Sequence, residues 1–234
     1  LTDDVDFGNL YLTDGDGNRV DLDVGDSFTQ ADIDMGLLAY EQDEALVNFW
    51  DPSTPEWGSD AAPVDQGNLT MPLEAEGVTV TFQGEGAGYH NTVGWYKLDA
   101  EGNPTEPQIM WTDASEDGGI LPQGSTVTLD GLAPGQQFGF FIIKDGANQH
   151  DWLEGQVEAG RDMQFGDDGS LQFLNPAGNV THEVGADEMF HTNPSLNTDG
   201  INHTISGTTG DELMIGFEDL TGGGDNDFND VTFS

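Results

Sequence analysis

Between Glu218 and Asp230 the chain crowds five carboxylates and Asn229 into thirteen positions: Glu218, Asp219, Asp225, Asp227, Asn229 and Asp230. Gly222, Gly223 and Gly224 separate the two acidic clusters, and no lysine or arginine lies near them in sequence. Carboxylates held this close repel one another unless a cation sits among them. Oxygen-only ligands on a glycine-bent loop suit a hard cation that tolerates irregular geometry, Ca²⁺ before Mg²⁺ or Zn²⁺. Asp225 and Asp227, at i and i+2, point to one side of an extended loop. Glu218 and Asp219 close one strand-like run, and Asn229 and Asp230 lead into another at 231–233. If those two strands are neighbours, their ends bring both clusters together over the glycines.

The whole chain is acidic as well. Its 234 residues carry 45 aspartates and glutamates against four basic residues, Arg19, Lys97, Lys144 and Arg161, for a formal charge of −41. This excludes nucleic acid and anionic membrane surfaces as partners. Calcium does not account for the acidity, because even about five bound ions would cancel only about ten charges. The remainder is a solvated surface, tolerated where salt is high and the Debye length falls from about 8 Å to about 3 Å. Seawater or brine fits. The chain has no cysteine, so a secreted form needs another staple, and bound metal can supply it. The alternative is a cytosolic protein of a salt-loving organism. No apolar run reaches the length of a membrane helix; the longest, 138–143, is interrupted by Gly139. No membrane insertion is expected, and no signal sequence is recognisable. The chain reads as a module cut from something longer.

Short alternating or β-branched runs at 78–82, 93–98, 125–129, 136–143, 170–174, 212–217 and 231–233 lie between Gly, Asn, Asp and Pro. The pattern predicts an all-β fold, a β-sandwich with long Asp/Gly-rich loops and little helix. The run Gln137-Phe138-Gly139-Phe140-Phe141-Ile142-Ile143 is apolar on both faces, as in a central strand. A short helix is expected over 31–40 with Thr29 as its cap. The chain reads as one module over residues 1–234, with 1–70 an irregular N-terminal elaboration.

Other acidic turns are less specific. Asp14, Asp16 and Asn18 open like an EF-hand loop, but Arg19 stands where glycine is needed and Gly25 where a bidentate glutamate is needed. A short turn binding one Ca²⁺ remains the reading there, beside a plain Asp-Gly hairpin. Asp99 to Asn103 reads as a plain hairpin turn. The polar loop 190–203 offers Asn193, Asn197 and Asp199 to a second cation or a ligand. His191 and His203, without cysteines or HExxH spacing, give a weak zinc signal. The glycine-rich loop 84–91 lacks the lysine and helix of a phosphate cradle. Trp50, Trp57 and Trp152 border loops and are candidate stacking surfaces, whereas Trp95 and Trp111 read as core. No GxSxG motif or cysteine nucleophile suggests an enzyme.

The tail GFEDLTGGGDNDFNDV, with HTNPSLNTDGINH and FGFFIIKDG upstream and AGYHNTVGWYKLDAEGN at 87–103, resembles a calcium-associated β-domain. Such domains lie near the C-terminal ends of very large bacterial repeats-in-toxin (RTX) adhesins, and some bind peptides. The resemblance covers roughly residues 78 to 234, and the nonapeptide repeats of those adhesins are absent. It implies an extracellular, non-enzymatic module on the bacterial cell surface, at the tip of a type I secreted fibre. Several Ca²⁺ ions would be built into the fold. The partner would be a peptide or protein on another cell, captured through a C-terminal carboxylate beside a calcium. The module would be monomeric within a longer fibre. Asn193, Asp199, His203, Trp152 and Tyr89 are then the ligand-binding candidates. A Ca²⁺-dependent lectin binding a glycan and a calcium-rigidified spacer are the alternatives.

Overall fold

A computed structural model describes residues 8–13, 19–22, 26–29, 31, 37–42, 61–64, 69–75, 77–115, 120–209 and 212–234. The chain forms two compact units, Leu1–Asp51 and Pro52–Ser234. In the first, β1 (Gly8–Thr13) pairs antiparallel with β2 (Arg19–Asp21) on one side and β3 (Leu38–Gln42) on the other. The Arg19 guanidinium lies 4.4 Å over the Tyr11 ring. The expected helix over 31–40 is corrected at its C-terminal end. Leu38, Ala39 and Tyr40 run in β3, where the ladder with β1, Tyr40 opposite Leu10, supplies the backbone partners a helix would otherwise provide. Asp14, Asp16, Asn18, Trp50 and Trp57 lie outside the described residues.

The second unit runs β4 (Ala62–Pro63), β5 (Val78–Gly84), β6 (Thr92–Leu98), β7 (Pro104–Trp111), β8 (Thr126–Leu129) and β9 (Phe138–Ile143). Two short helices follow, α1 (Gly146–Gln149) and α2 (Leu153–Glu158). Then come β10 (Met163–Phe165), β11 (Leu171–Leu174), β12 (Val180–Val184), β13 (Met189–His191), β14 (Thr204–Thr209), β15 (Glu212–Phe217) and β16 (Val231–Phe233). The strands make a six-stranded sheet β4-β14-β15-β16-β5-β8, a four-stranded sheet β13-β9-β6-β7 and a three-stranded sheet β10-β11-β12. The expected all-β architecture is present.

The four-stranded sheet is covered on both faces, which is why β9 is apolar throughout. Phe138, Phe140 and Ile142 point to one core, shared with Val93 and Trp95 of neighbouring β6 and with Phe82, Ile215, Phe217, Val231 and Phe233 of the facing six-stranded sheet. Phe141 and Ile143 point the other way, to a core with Tyr96, Leu153, Leu171, Phe173, Val184 and Met189. All six residues of β9 are buried. Phe140 meets Phe233 edge-on at 4.9 Å between centroids, one of several aromatic contacts joining the two large sheets.

β7 carries Pro104 and Pro107 and does not read as a strand; it forms because it lies at the edge of its sheet, where proline's missing N–H costs no ladder bond. The β6–β7 turn is the plain hairpin expected, with Asp99 Oδ1 accepting the Glu101 and Asn103 amides at 3.0 and 2.8 Å.

Phe141 is fully buried against Tyr96, Phe165 and His191. Phe141→Ala should therefore destabilise this unit by about 3–5 kcal/mol in urea unfolding, the range for deleting a buried aromatic side chain. A loss below about 1 kcal/mol would mean that the second core is not packed this way.

Candidate metal centre

Strand register assembles the acidic loop. Phe217 lies opposite Val231, so Glu218 and Asp230 face each other just past the end of the β15–β16 ladder. Phe217 also lies opposite Thr204 of β14, which sets His203 beside Glu218. The Asp230 amide donates to the Phe217 carbonyl at 3.1 Å, and the Glu218 amide to the His203 carbonyl at 2.9 Å. The Asp219 amide donates to Asp230 Oδ2 at 2.7 Å.

Between these anchors the loop turns through left-handed backbone, with φ of +87°, +86° and +44° at Gly222, Gly223 and Gly224 and +59° and +52° at Asn226 and Phe228. Gly224 has a second reason to be glycine: a Cβ there would run into Glu218 Oε1.

The result is two groups of carboxylates that share one member. Oxygens of Glu218, Asp219 and Asp230 lie within 4.8 Å of one another, as do oxygens of Glu218, Asp225 and Asp227. Glu218 and Asp219 are only 1% and 3% exposed. Asp227 and Asp230 are half-buried, and Asp225 is exposed. Glu218 Oε2 is buried without a hydrogen-bond partner among the described residues. Burial, followed by the charges of Asp225, Asp227 and Asp219, pushes the Glu218 carboxyl up to about 7. Burial and then Asp219 push Asp230 up to about 8. Burial also raises Asp219. Burial and mutual repulsion favour the protonated carboxyls; a hard divalent ion would supply the charge compensation instead, and every donor offered is oxygen.

Several predicted residues sit elsewhere or do other work. Asn229 donates from Nδ2 to Asp227 Oδ2 at 2.7 Å, and its carbonyl accepts the Gly86 amide at 2.9 Å, tying the loop to the β5–β6 connection. Asp199 belongs to neither group. Its Oδ2 accepts from His203 Nε2 at 2.9 Å and from the Gly222 amide at 3.1 Å, so it braces the glycine turn. Burial opposes its charge, but these bonds and one from the Ile201 amide outweigh it and hold the carboxyl below its usual range.

Asn197 is held by backbone groups of its own loop. It is buried, its Oδ1 accepts the His191 amide at 2.7 Å and its Nδ2 donates to the Ile201 carbonyl at 2.8 Å, so the amide is spent on the loop's own backbone. Asn193 Oδ1 accepts the Ser195 amide at 3.1 Å and caps the turn Pro194–Leu196.

His203 is corrected as a ligand contact. It is fully buried, stacked on Phe190 at 3.7 Å, with Nδ1 against the Glu218 carbonyl at 3.1 Å. Trp152 is corrected as an open stacking surface, because His182 stacks on it at 4.5 Å and Phe173 meets it edge-on at 5.3 Å. Tyr89 is 39% exposed, as a contact residue needs.

Two contributors escaped the sequence reading. Asn91 donates from Nδ2 to Asp219 Oδ2 at 2.7 Å. Lys144, far from the tail in sequence, reaches Thr221 Oγ1 at 3.2 Å and the Asp187 carbonyl at 2.9 Å, so a basic residue does border the loop without pairing to its carboxylates. Near this end of β6, His90, Asp113 and Ser115 lie together. Asp113 Oδ2 and Ser115 Oγ both meet the same ring nitrogen, Nδ1, at 3.0 and 3.2 Å. A Ser–His–Asp relay needs them on opposite nitrogens.

Residues 132–234 match the model of a family described as "Domain of unknown function (DUF4114)", less than half of the chain. The match takes in the whole acidic loop, Asp199, His203 and Lys144, and leaves out Asn91. No curated protein and no solved structure matches the chain.

The raised carboxyls set a sign for stability against pH. A folded-state value above the unfolded one stabilises the fold at low pH and is lost as pH rises through the folded value. In chelator, stability should therefore rise as pH falls from about 8 to about 6.5, as Glu218 and Asp230 take up protons. Below about 6.5 the buried His191, lowered from 6.5 to about 4 by desolvation, acts oppositely, because its folded state resists protonation. Saturating Ca²⁺ should abolish the gain between about 8 and 6.5. Urea midpoints measured across this window check both statements; a chelated protein with no gain would contradict the buried carboxylate cluster.

Proposed function

We propose that the Pro52–Ser234 unit is a non-enzymatic, Ca²⁺-dependent binding module of the adhesin type. The loop between β15 and β16 holds Ca²⁺ through Glu218, Asp219 and Asp230 at one group and Glu218, Asp225 and Asp227 at the other. The ion compensates the buried carboxylates and presents an open side at exposed Asp225 to a carboxylate of a peptide or protein ligand. The observation that carries this reading is the Glu218 side chain: 1% exposed, common to both groups, with an oxygen left without a partner among the described residues. A chain of charge −41 needs a cation to attract an anionic ligand at all. The likeness of the tail to RTX adhesin domains supports the setting: a secreted bacterial surface fibre, with this module as one monomeric unit and its partner on another cell. For the lectin reading, the Trp152 ring is already stacked by His182.

Calcium at 100-fold excess over its Kd should add about 2.7 kcal/mol per site. The melting temperature should accordingly fall on chelation, and an unchanged value would remove the calcium reading. Asp227→Ala should weaken Ca²⁺ uptake. Asp168→Ala should leave it unchanged, since Asp168 serves only its own turn through Ser170. For the ligand, calorimetry in Ca²⁺ should show binding of peptides with a free C-terminal carboxylate and loss of binding for the amidated forms or in EDTA. Equal binding of both forms would exclude capture through the carboxylate.

A further inference from the structure

The acidic loop does not orient all of its own carboxylates. Asn91, the residue before β6, is fully buried and 128 positions away from Asp219 in the chain. The ladder pairs Thr92 with Ile143, so the start of β6 lies beside the end of β9 and the turn that follows it. There Asn91 bonds in three directions. Its Nδ2 donates to Asp219 Oδ2 at 2.7 Å, its Oδ1 accepts the Asp145 amide at 2.9 Å, and its backbone carbonyl accepts the Ala114 amide at 2.7 Å.

The two side-chain bonds fix the amide one way round. A flipped Asn91 would set its donor against the Asp145 N–H and its acceptor against a carboxylate. Asp219 is held in turn: its Oδ2 accepts from Asn91, which orients a carboxylate that has an oxygen within 4.8 Å of oxygens of Glu218 and Asp230. Asp145 is itself a constrained position, left-handed at φ +51°, with its carboxylate accepting from the His90 amide, Asn148 and Gln149 at 3.2, 2.7 and 2.9 Å.

We infer that Asn91 is a positioning residue of the metal centre: it orients the Asp219 carboxylate toward the cation and ties occupancy of the site to the Asp145 turn at the start of α1. This rests on the calcium reading of the acidic loop. A hydrogen-bond partner of a metal-ligating carboxylate typically changes metal affinity by about 10–100-fold.

Calcium titrations of the wild-type chain and Asn91→Ala, by calorimetry and by amide NMR, test it. The variant should bind Ca²⁺ at least about 10-fold more weakly. In the wild type, the Asn91 Nδ2 protons and the Asp145 N–H should shift with the same Ca²⁺ dependence. Asn103→Ala, which removes an equivalent amide–carboxylate bond to Asp99 in the β6–β7 turn, should keep wild-type affinity. Wild-type affinity in Asn91→Ala, or Ca²⁺ binding that leaves the Asp145 N–H unmoved, would overturn the assignment. A wild-type chain that takes up no Ca²⁺ would overturn the calcium reading and this inference with it. If Asn91→Ala does not fold, the two wild-type resonances decide the matter alone.

Discussion

Where β15 ends against β16, the chain turns a glutamate inward. A carboxylate taken out of water needs a proton, a cation or a full set of donors, and Glu218 has no full set. The rest of the centre is arranged around that constraint. Gly224 leaves the space Glu218 occupies. Asp199, reaching from the preceding loop, holds the glycine turn through the Gly222 amide. His203 receives Glu218 on both its backbone and its ring, and is itself clamped between Asp199 and Phe190. The loop is thus built to keep acidic oxygens together, against their mutual repulsion, at the end of a rigid ladder.

That rigidity comes from the scaffold. β15 and β16 lie inside a six-stranded sheet whose inner face is filled by Phe82, Phe217 and Phe233 and packed on Phe140 and Trp111. The four-stranded sheet behind it is buried on both sides, so the ends of β6 and β9, which carry Asn91 and Asp145, are fixed as well. Binding chemistry sits on loops and precision comes from the strands that hold them. The carboxylates themselves come from one loop, but their supports Asn91 and Asp199 come from elsewhere in the chain and are brought to it by the folded sandwich.

Much of this was legible in the sequence because it is local. The runs that became β5, β6, β8, β9, β11, β15 and β16 alternate or are continuously apolar, and both periods report burial directly. The tail was legible because its carboxylates lie within one short loop. Proline hid β7, an edge strand that tolerates it. The loop 190–203 misled for a physical reason. Asn and His side chains in loops satisfy backbone groups as readily as they bind ions, and composition does not distinguish the two; Asn197 and His203 proved to be braces. Asn91 and Lys144 were invisible because only the register Thr92–Ile143 and the packing of the sheets bring their neighbourhood to the tail.

On the calcium reading, an ion shared between the two carboxylate groups compensates the buried Glu218 charge. Equilibrium dialysis of the wild-type chain and Glu218→Gln against Ca²⁺ tests it most directly, since the amide keeps the shape and removes the charge. The variant should lose tight Ca²⁺ uptake at the loop while its sheets remain folded. A Glu218→Gln chain that takes up as much Ca²⁺ as the wild type, with the same affinity, would contradict it.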